Sequence, residues 1–139
     1  MVEVDVVERK LKQLDQYLKQ LAKYQSVTLN EIEGNMEKAW IIERGLQLSI
    51  QVILDIGNHI LADEGIAVEE YTDIFVKLAD LGIIPREFTE RVKGMAGFRN
   101  ILVHEYGTID FQIVVDVMNN NLEDFRIFAG YVVEYIDSQ

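Results

Sequence analysis

The chain has 139 residues, the size of one domain, and it contains no cysteine. The absence of cysteine excludes a disulfide framework, a thiolate nucleophile and a sulfur-ligated zinc site. Its 13 basic and 24 acidic residues give a formal net charge of −11, which argues against non-specific binding to nucleic acid because the sequence offers no Lys/Arg track.

The first predicted helix runs from about Glu3 to Tyr24. Its apolar residues are spaced three and four apart with polar residues on the other faces, which is typical of an amphipathic helix. The members of this stripe are Val4, Val7, Leu11, Leu14, Leu18 and Leu21. A short turn is predicted next, because Ser26, Thr28 and Asn30 are competing N-caps for a following helix.

The second predicted helix, from about Glu33 to Asp63, is apolar on nearly every face between Trp40 and Ile56. A helix of this kind is buried on several sides. In so small a chain, the pattern predicts that one face of the helix meets another subunit. Two bulky apolar clusters, around Trp40 and around Phe125 and Phe128, are interpreted as core.

Three further segments complete the predicted fold. A shorter third helix spans about Glu69 to Leu81, and Pro85 opens a fourth, where its missing N–H costs nothing. A last helix begins near Thr108 or Asp110 and is kinked at residues 119–121, because asparagine is a poor residue for a helix interior. Strand-like alternation does not occur in the sequence.

These elements predict an all-α fold, an up-and-down bundle of four long helices plus a short helix, in a single domain over residues 1–139. The start, Met1–Asp5, is acidic and lacks the basic and apolar stretches of a signal peptide. The longest charge-free run, Gly45–Leu54, is far shorter than the roughly 20 apolar residues that span a bilayer. We therefore expect no membrane segment and a cytoplasmic location.

The residues with the clearest chemical potential lie between Phe98 and Tyr106. Arg99 has a permanent charge that can grip a phosphate with two hydrogen bonds, and His104 can take up and release a proton near neutral pH. Together they supply two parts of phosphodiester chemistry, and neither needs a metal. The sequence contains no glycine-rich phosphate loop and no Ser/His/Asp arrangement, so we predict neither a metal site nor a cofactor.

The spacing Arg99-x4-His104-x-Tyr106, with Asn100 beside the arginine, resembles the signature of the HepT family of HEPN-domain proteins. The resemblance covers most of the chain. The other similar stretches are Ile41–Gln47, Asp55–His59 and Gly107–Asp110.

This resemblance implies a HEPN-like helical bundle that is the toxin of a type VII-like HepT/nucleotidyltransferase toxin–antitoxin system. It implies a metal-independent endoribonuclease that cleaves RNA, forms a homodimer and pairs with a cognate minimal nucleotidyltransferase antitoxin. His104 is then the general base or acid for attack by the RNA 2′-hydroxyl, and Arg99 stabilises the charge of the transition state. Asn100 would bind phosphate or ribose or orient His104, and Tyr106 would be adenylylated by the partner.

The positions of these residues on a helix bear on whether they can act together. Asn100 and His104 are four residues apart and share a face, whereas Arg99 and His104 diverge by about 140°. Either the helix loosens before His104, or the same segment of a second protomer completes the site across a two-fold axis. The family resemblance implies the second arrangement, a dimer with a composite cleft.

Plainer interpretations stand beside the catalytic one. In the first interpretation, Arg99 forms an ion pair with one of the many acidic residues. His104 merely lies at the end of a helix, where its positive charge interacts favourably with the helix dipole. Tyr106 is then an ordinary surface tyrosine. Asp55 and His59, four residues apart, are interpreted as a buried hydrogen-bonded pair rather than as metal ligands.

Glu43 and Arg44 are interpreted as an ion pair or a dimer contact, with bordering of the RNA cleft as the alternative. Two other classes of function also remain. One is a catalytically silent nucleotide-binding or scaffold subunit that holds a nucleotidyltransferase partner through its acidic surface. The other is a plain helical dimerisation module.

Overall fold

The computed structural model describes residues 3–104 and 109–139, apart from the side chain of His104. Within these residues every regular element is an α-helix, which confirms the predicted all-α class. The eight helices are α1 (Val4–Ala22), α2 (Leu29–Glu33), α3 (Met36–Asp63), α4 (Thr72–Asp80), α5 (Arg86–Val92), α6 (Gly94–His104), α7 (Phe111–Asn120) and α8 (Leu122–Asp137).

Helix α3 is the centre of the bundle and contacts α1, α2, α4, α6 and α8. Lys10, early in α1, lies 3.7 Å from Asp55, late in α3, while Leu21 packs on Gly45. The two helices are therefore antiparallel, as predicted. They also approach closely, because a Cβ atom at position 45 would lie 2.7 Å from Leu21 Cδ2.

A short helix, α2, replaces the predicted turn between the first two long helices. Thr28 Oγ1 accepts a hydrogen bond from the Glu31 backbone N–H, and Glu31 Oε1 accepts one from the Thr28 N–H, each at 3.3 Å. This reciprocal capping box satisfies two N–H groups that a helix start otherwise leaves unpaired. The following helix consequently begins at Met36 rather than Glu33, with Asn35 as its N-cap.

Two predicted helices are each divided in the structure. The fourth breaks at Lys93, between α5 and α6, where Gly94 is a weak helix former. The last breaks at Asn121, between α7 and α8, which confirms the predicted kink. The backbone of Asn121 leaves ideal helical geometry at φ −119° and ψ −4°, and its side chain donates to Asp124.

The core is made of aliphatic and aromatic side chains from all eight helices. Phe125 and Phe128 are buried, as predicted, and Phe128 meets Phe75 edge to face at 6.0 Å between ring centroids. The prediction that Trp40 is core is wrong, since 62% of its surface is exposed. Of the helices in the described part of the chain, none combines the length and the apolar character that crossing a bilayer requires.

Candidate active site

Arg99 lies on α6, half-buried against α3 and the start of α4. Its Nε–H donates a hydrogen bond of 2.9 Å to Gln51 Oε1 of α3, and its Nη1 donates one of 3.0 Å to Asn100 Oδ1. The guanidinium carbon lies 5.2 Å from the ring centroid of Tyr71, the N-cap of α4. Three neighbours thus hold one guanidinium.

All three of these neighbours are uncharged. No ion pair joins Arg99 to an acidic residue within the described ranges, although the sequence has 24 acids. This differs from the plainer interpretation, in which Arg99 pairs with a carboxylate. Among the described residues the guanidinium of Arg99 is thus held in place by neutral groups, an arrangement that suits an anion-binding group.

Gln51 is a site residue that the sequence analysis missed. Its amide has both ends in use, because Nε2 donates to Asp55 Oδ1 at 2.8 Å while Oε1 accepts from Arg99. Asp55 in turn lies 3.7 Å from Lys10 Nζ. The only signal in the sequence was that Gln51 lies one turn before Asp55 on the same face of the predicted helix.

The predicted hydrogen-bonded pair of Asp55 and His59 is wrong. Asp55 contacts Gln51 and Lys10 instead, since Gln51 lies four residues before it on the same helix face. His59 Nε2 is buried, with no hydrogen-bond partner among the described residues. In the same part of the chain, no three histidine, aspartate or glutamate side chains are grouped as metal ligands.

The other predicted catalytic residue, His104, is the last residue of α6. Helix α6 ends at His104, whose side chain lies outside the described residues, as do Glu105 and Tyr106. Asn100 is exposed and faces Arg99 through its carbonyl oxygen. The roles assigned to Asn100, His104 and Tyr106 therefore stay predictions, and what the structure adds is the hydrogen bond that Asn100 accepts from Arg99.

An exposed apolar surface lies on the first half of α3, formed by Met36, Trp40 and Ile41, which we call the Trp40 face. A cavity of about 420 Å³ on one side of Trp40 is lined by α1 and α3. A second cavity, of about 230 Å³, is lined in part by Ile109 and Phe111, the residues that follow the undescribed segment. The Trp40 face therefore lies beside Ile109 and Phe111, which follow the Arg99–Tyr106 segment in the sequence.

Glu43 and Arg44 lie beside the Trp40 face. Neither forms an ion pair with a residue in the described ranges, so the predicted ion pair between them is wrong. Partial burial raises the pKa of the Glu43 carboxyl above its ordinary value. Both cavities reach these residues, since Arg44 lines the larger one and Glu43 the smaller.

A local basic groove exists despite the acidic composition. A groove of about 480 Å³ along α1 is lined by Arg9, Lys10 and Lys12 together with the uncharged Val6, Gln13 and Gln16. A Lys/Arg track was not predicted from the sequence, although these three basic residues lie within positions 9–12. The Lys10 end of the groove contacts Asp55, and so adjoins the residues that hold Arg99.

Comparison with known proteins agrees with the sequence signature. The profile of the "Ribonuclease HepT-like" family matches residues 14–132. The "tRNA nuclease HepT" of Aphanizomenon flos-aquae is 29% identical over 137 residues, which cover 97% of this chain and 92% of that protein. The "mRNA nuclease HepT" of Shewanella oneidensis is 34% identical over 88 residues, or 63% of this chain and 66% of that protein.

A solved structure extends the likeness to the fold. It is described as a tri-AMPylated Shewanella oneidensis HEPN toxin in complex with MNT antitoxin. The TM-score is 0.82 at 26% identity, and the match covers 94% of this chain and 98% of that one. The bundle described above is therefore shared along almost the whole of both chains.

Proposed function

Because the chain belongs to the ribonuclease HepT-like family, we propose that it is the endoribonuclease toxin of a cytoplasmic toxin–antitoxin pair and that Arg99 and His104 cleave RNA without a metal ion. The observation that carries this proposal is the environment of Arg99. Its guanidinium is held by Gln51, Asn100 and Tyr71, and no described acid neutralises it. A fixed, unneutralised guanidinium suits a phosphate group.

The proposed reaction uses the hydroxyl of the RNA itself as nucleophile. The 2′-oxygen loses its proton to an imidazole and bonds to phosphorus, while the bond from phosphorus to the 5′-oxygen breaks and that oxygen takes up a proton. The products are a 2′,3′-cyclic phosphate and a 5′-hydroxyl. His104 supplies the proton transfer, and Arg99 stabilises the added negative charge on the phosphoryl oxygens.

A dimer supplies two imidazoles to one cleft. On a regular helix Arg99 and His104 diverge by about 140°, so one copy of α6 does not aim both groups at a single atom. In the composite site, His104 of one protomer acts as base and His104 of the partner subunit acts as acid. Support comes from the Trp40 face, since an exposed apolar surface of this kind usually marks an interface.

Charge at the same surface also favours a two-fold contact. Glu43 and Arg44 are adjacent, bear opposite charges and form no ion pair within the described residues. In a two-fold interface residue i of one copy contacts residue j of the other, and j contacts i. Glu43 of each protomer would then meet Arg44 of the partner subunit.

RNA reaches this site although the chain is acidic overall. Arg9 and Lys12, which line the groove beside Lys10, supply local positive charge near the residues that hold Arg99, while the charge of Lys10 itself is offset by Asp55. Such contacts bind the phosphate backbone without reading the sequence of bases. RNA binding at this groove should weaken as salt is raised.

We assign the control of the toxin to a nucleotidyltransferase partner that adenylylates Tyr106. The tyrosine is two residues from His104, and the solved Shewanella oneidensis toxin is tri-AMPylated and bound to MNT antitoxin. A phosphoryl group beside Arg99 would repel an anionic RNA and occupy the guanidinium. Mass spectrometry after co-expression should find added AMP on Tyr106, and Tyr106→Phe should lack it there.

The test of the enzyme compares the native chain with His104→Ala and Arg99→Lys. Expression of the native chain should arrest growth, and the purified dimer should cleave RNA. His104→Ala should slow cleavage by about a hundredfold or more, the scale of general acid–base catalysis. Arg99→Lys should also be harmful, because it keeps the charge but loses the planar two-pronged grip.

Folding must be controlled in both variants, so circular dichroism and sedimentation should match the native chain. A matched control is Arg126→Lys, an exchange of the same kind at an exposed arginine of α8 that lies 4.0 Å from Asp15. This variant should cleave RNA normally. If all three variants are as active as the native chain, Arg99 and His104 are not the catalytic pair.

A further inference from the structure

We propose that Gln51 is a positioning residue that fixes the orientation of the Arg99 guanidinium for phosphate binding; this inference rests on the ribonuclease function proposed above. Gln51 lies on α3 and Arg99 on α6, 48 residues later in the chain. Their hydrogen bond is therefore a tertiary contact that exists only when the two helices are packed.

The contact uses the part of Arg99 that lies closest to its own backbone. Gln51 accepts from Nε, and Asn100 accepts from Nη1. Among the described residues none accepts a hydrogen bond from Nη2. The guanidinium is planar, so a fixed Nε–H together with the Tyr71 ring, whose centroid lies 5.2 Å from the guanidinium carbon, restricts its rotation. The described residues thus leave Nη2 open to an anion.

Gln51 can orient Arg99 because Gln51 is itself oriented. An amide side chain can present either its oxygen or its nitrogen in a given direction. Here Asp55 Oδ1 accepts from Gln51 Nε2 at 2.8 Å, which requires Oε1 to point the other way, toward Arg99. The Lys10 ammonium lies 3.7 Å from Asp55 Oδ2 and keeps that carboxylate in place. Lys10 therefore holds Asp55, Asp55 orients Gln51, and Gln51 in turn orients Arg99.

Neutrality is what separates this arrangement from a salt bridge. A carboxylate at position 51 would also accept from Arg99 Nε, yet it would cancel the charge that binds phosphate. An amide holds the same N–H and leaves the charge in place. The negative Asp55 lies one residue further from Arg99 along this hydrogen-bonded chain and is offset by Lys10.

The experiment measures single-turnover cleavage by Gln51→Met, which keeps the length of the side chain and removes both hydrogen bonds. Cleavage should slow about tenfold, the factor that corresponds to one ordinary hydrogen bond. Gln112→Met is the matched control, because Gln112 donates to Asp116 at 2.9 Å, four residues away on the same helix, and has no hydrogen bond to an arginine among the described residues. Its cleavage rate should match the native chain.

A second arm separates positioning from a general effect on structure. Arg99→Lys has no Nε–H, so Gln51→Met should add almost nothing to the loss in that background. An equal tenfold loss in both backgrounds would overturn the positioning role and leave the ribonuclease proposal intact. Asp55→Leu removes the oxygen that accepts from Gln51 Nε2 and should therefore resemble Gln51→Met.

A third arm does not depend on activity. The Arg99 Nε–H signal in nitrogen-resolved NMR, identified by its loss in Arg99→Lys, should be protected from exchange in the native chain. Gln51→Met should shift it and speed its exchange with water, while Gln112→Met should not. An unchanged signal would overturn the inference. If the signal responds but the native chain cleaves no RNA, the contact stands, whereas the proposed function and this role in catalysis both fall.

Discussion

Arg91 of α5 and Asp124 of α8 form an ion pair in which the carboxylate side chain is only 1% exposed and the guanidinium side chain is 55% exposed. Asn121 Nδ2 donates to the second carboxylate oxygen at 3.1 Å. The pair thus fastens α5 to α8 beside the break at Asn121. Arg91 provides the one charged partner of this buried carboxylate among the described residues.

We predict that Arg91→Ala lowers the free energy of unfolding by about 2 kcal/mol. The substitution leaves the buried carboxylate of Asp124 with only one side-chain partner among the described residues, the neutral Asn121. Urea denaturation measures the change. Arg86→Ala is the matched control, since Arg86 pairs with Asp80 at 2.9 Å where both side chains are exposed. Its cost should stay within about 1 kcal/mol, and equal losses in the two variants would contradict the assignment.

Stability at high pH should depend on Tyr135, whose hydroxyl donates to Glu64 Oε1 at 2.7 Å. Burial, followed by this hydrogen bond, raises the pKa of Tyr135 from 10.0 to about 12. The folded chain therefore keeps a proton that the unfolded chain loses first. The stability contributed is fully present below pH 10 and disappears as the pH rises through about 12.

The measurement compares the native chain with Tyr135→Phe in urea denaturation at a series of pH values. The difference in their free energies of unfolding should be constant below pH 10 and should shrink between pH 10 and about 12. Lysines titrate in the same range, but equally in both chains. A difference that is independent of pH would show that the hydrogen bond does not perturb the phenol.

The Trp40 face should hold the dimer together. Trp40→Glu places a charge at the centre of the exposed apolar surface, and we expect it to convert the dimer to a monomer at micromolar concentration. Sedimentation velocity measures this. Val133→Glu is the control, because Val133 is an apolar side chain on α8 with 44% exposure. A native chain that sediments as a monomer would remove the composite site.

A chelator should leave RNA cleavage unchanged. In the proposed mechanism the nucleophile is the RNA 2′-hydroxyl, the proton would pass through His104, and Arg99 would supply the positive charge that a metal supplies in other nucleases. Cleavage of an unstructured single-stranded RNA should proceed equally with and without EDTA, and this substrate avoids effects of magnesium on RNA folding. Activity that EDTA abolishes and a divalent ion restores would refute the mechanism.

Periodicity in the sequence predicts which residues of a helix share a face, and this part of the fold was predictable. The buried Phe125 and Phe128 follow from such a pattern, whereas the kink before Leu122 follows from the asparagines at 119–121. Trp40 shows the limit, because an apolar side chain satisfies the same pattern whether it meets its own core or another surface. The capping box of Thr28 and Glu31 could have been found, since its spacing is visible in the sequence.

Contacts between distant helices were not predictable from periodicity. Arg99 could be singled out by its residue type, but nothing near it in the sequence indicates Gln51, which lies 48 residues earlier. The Asp55–His59 prediction failed for a related reason. Spacing along one helix shows which side chains can meet, whereas competing neighbours decide which of them do, and here Gln51 and Lys10 bind Asp55.

Gly57 sets how near α4 lies to α3. A Cβ atom at this position would fall 2.5 Å from Ile74 Cγ2, and Ile74 is buried in the core, so the methyl group would push α4 outward. Tyr71 immediately precedes that same helix, and its ring centroid lies 5.2 Å from the Arg99 guanidinium carbon. The missing side chain at position 57 thus acts as a spacer, and the smallest enlargement there would withdraw an aromatic support from a guanidinium on a different helix.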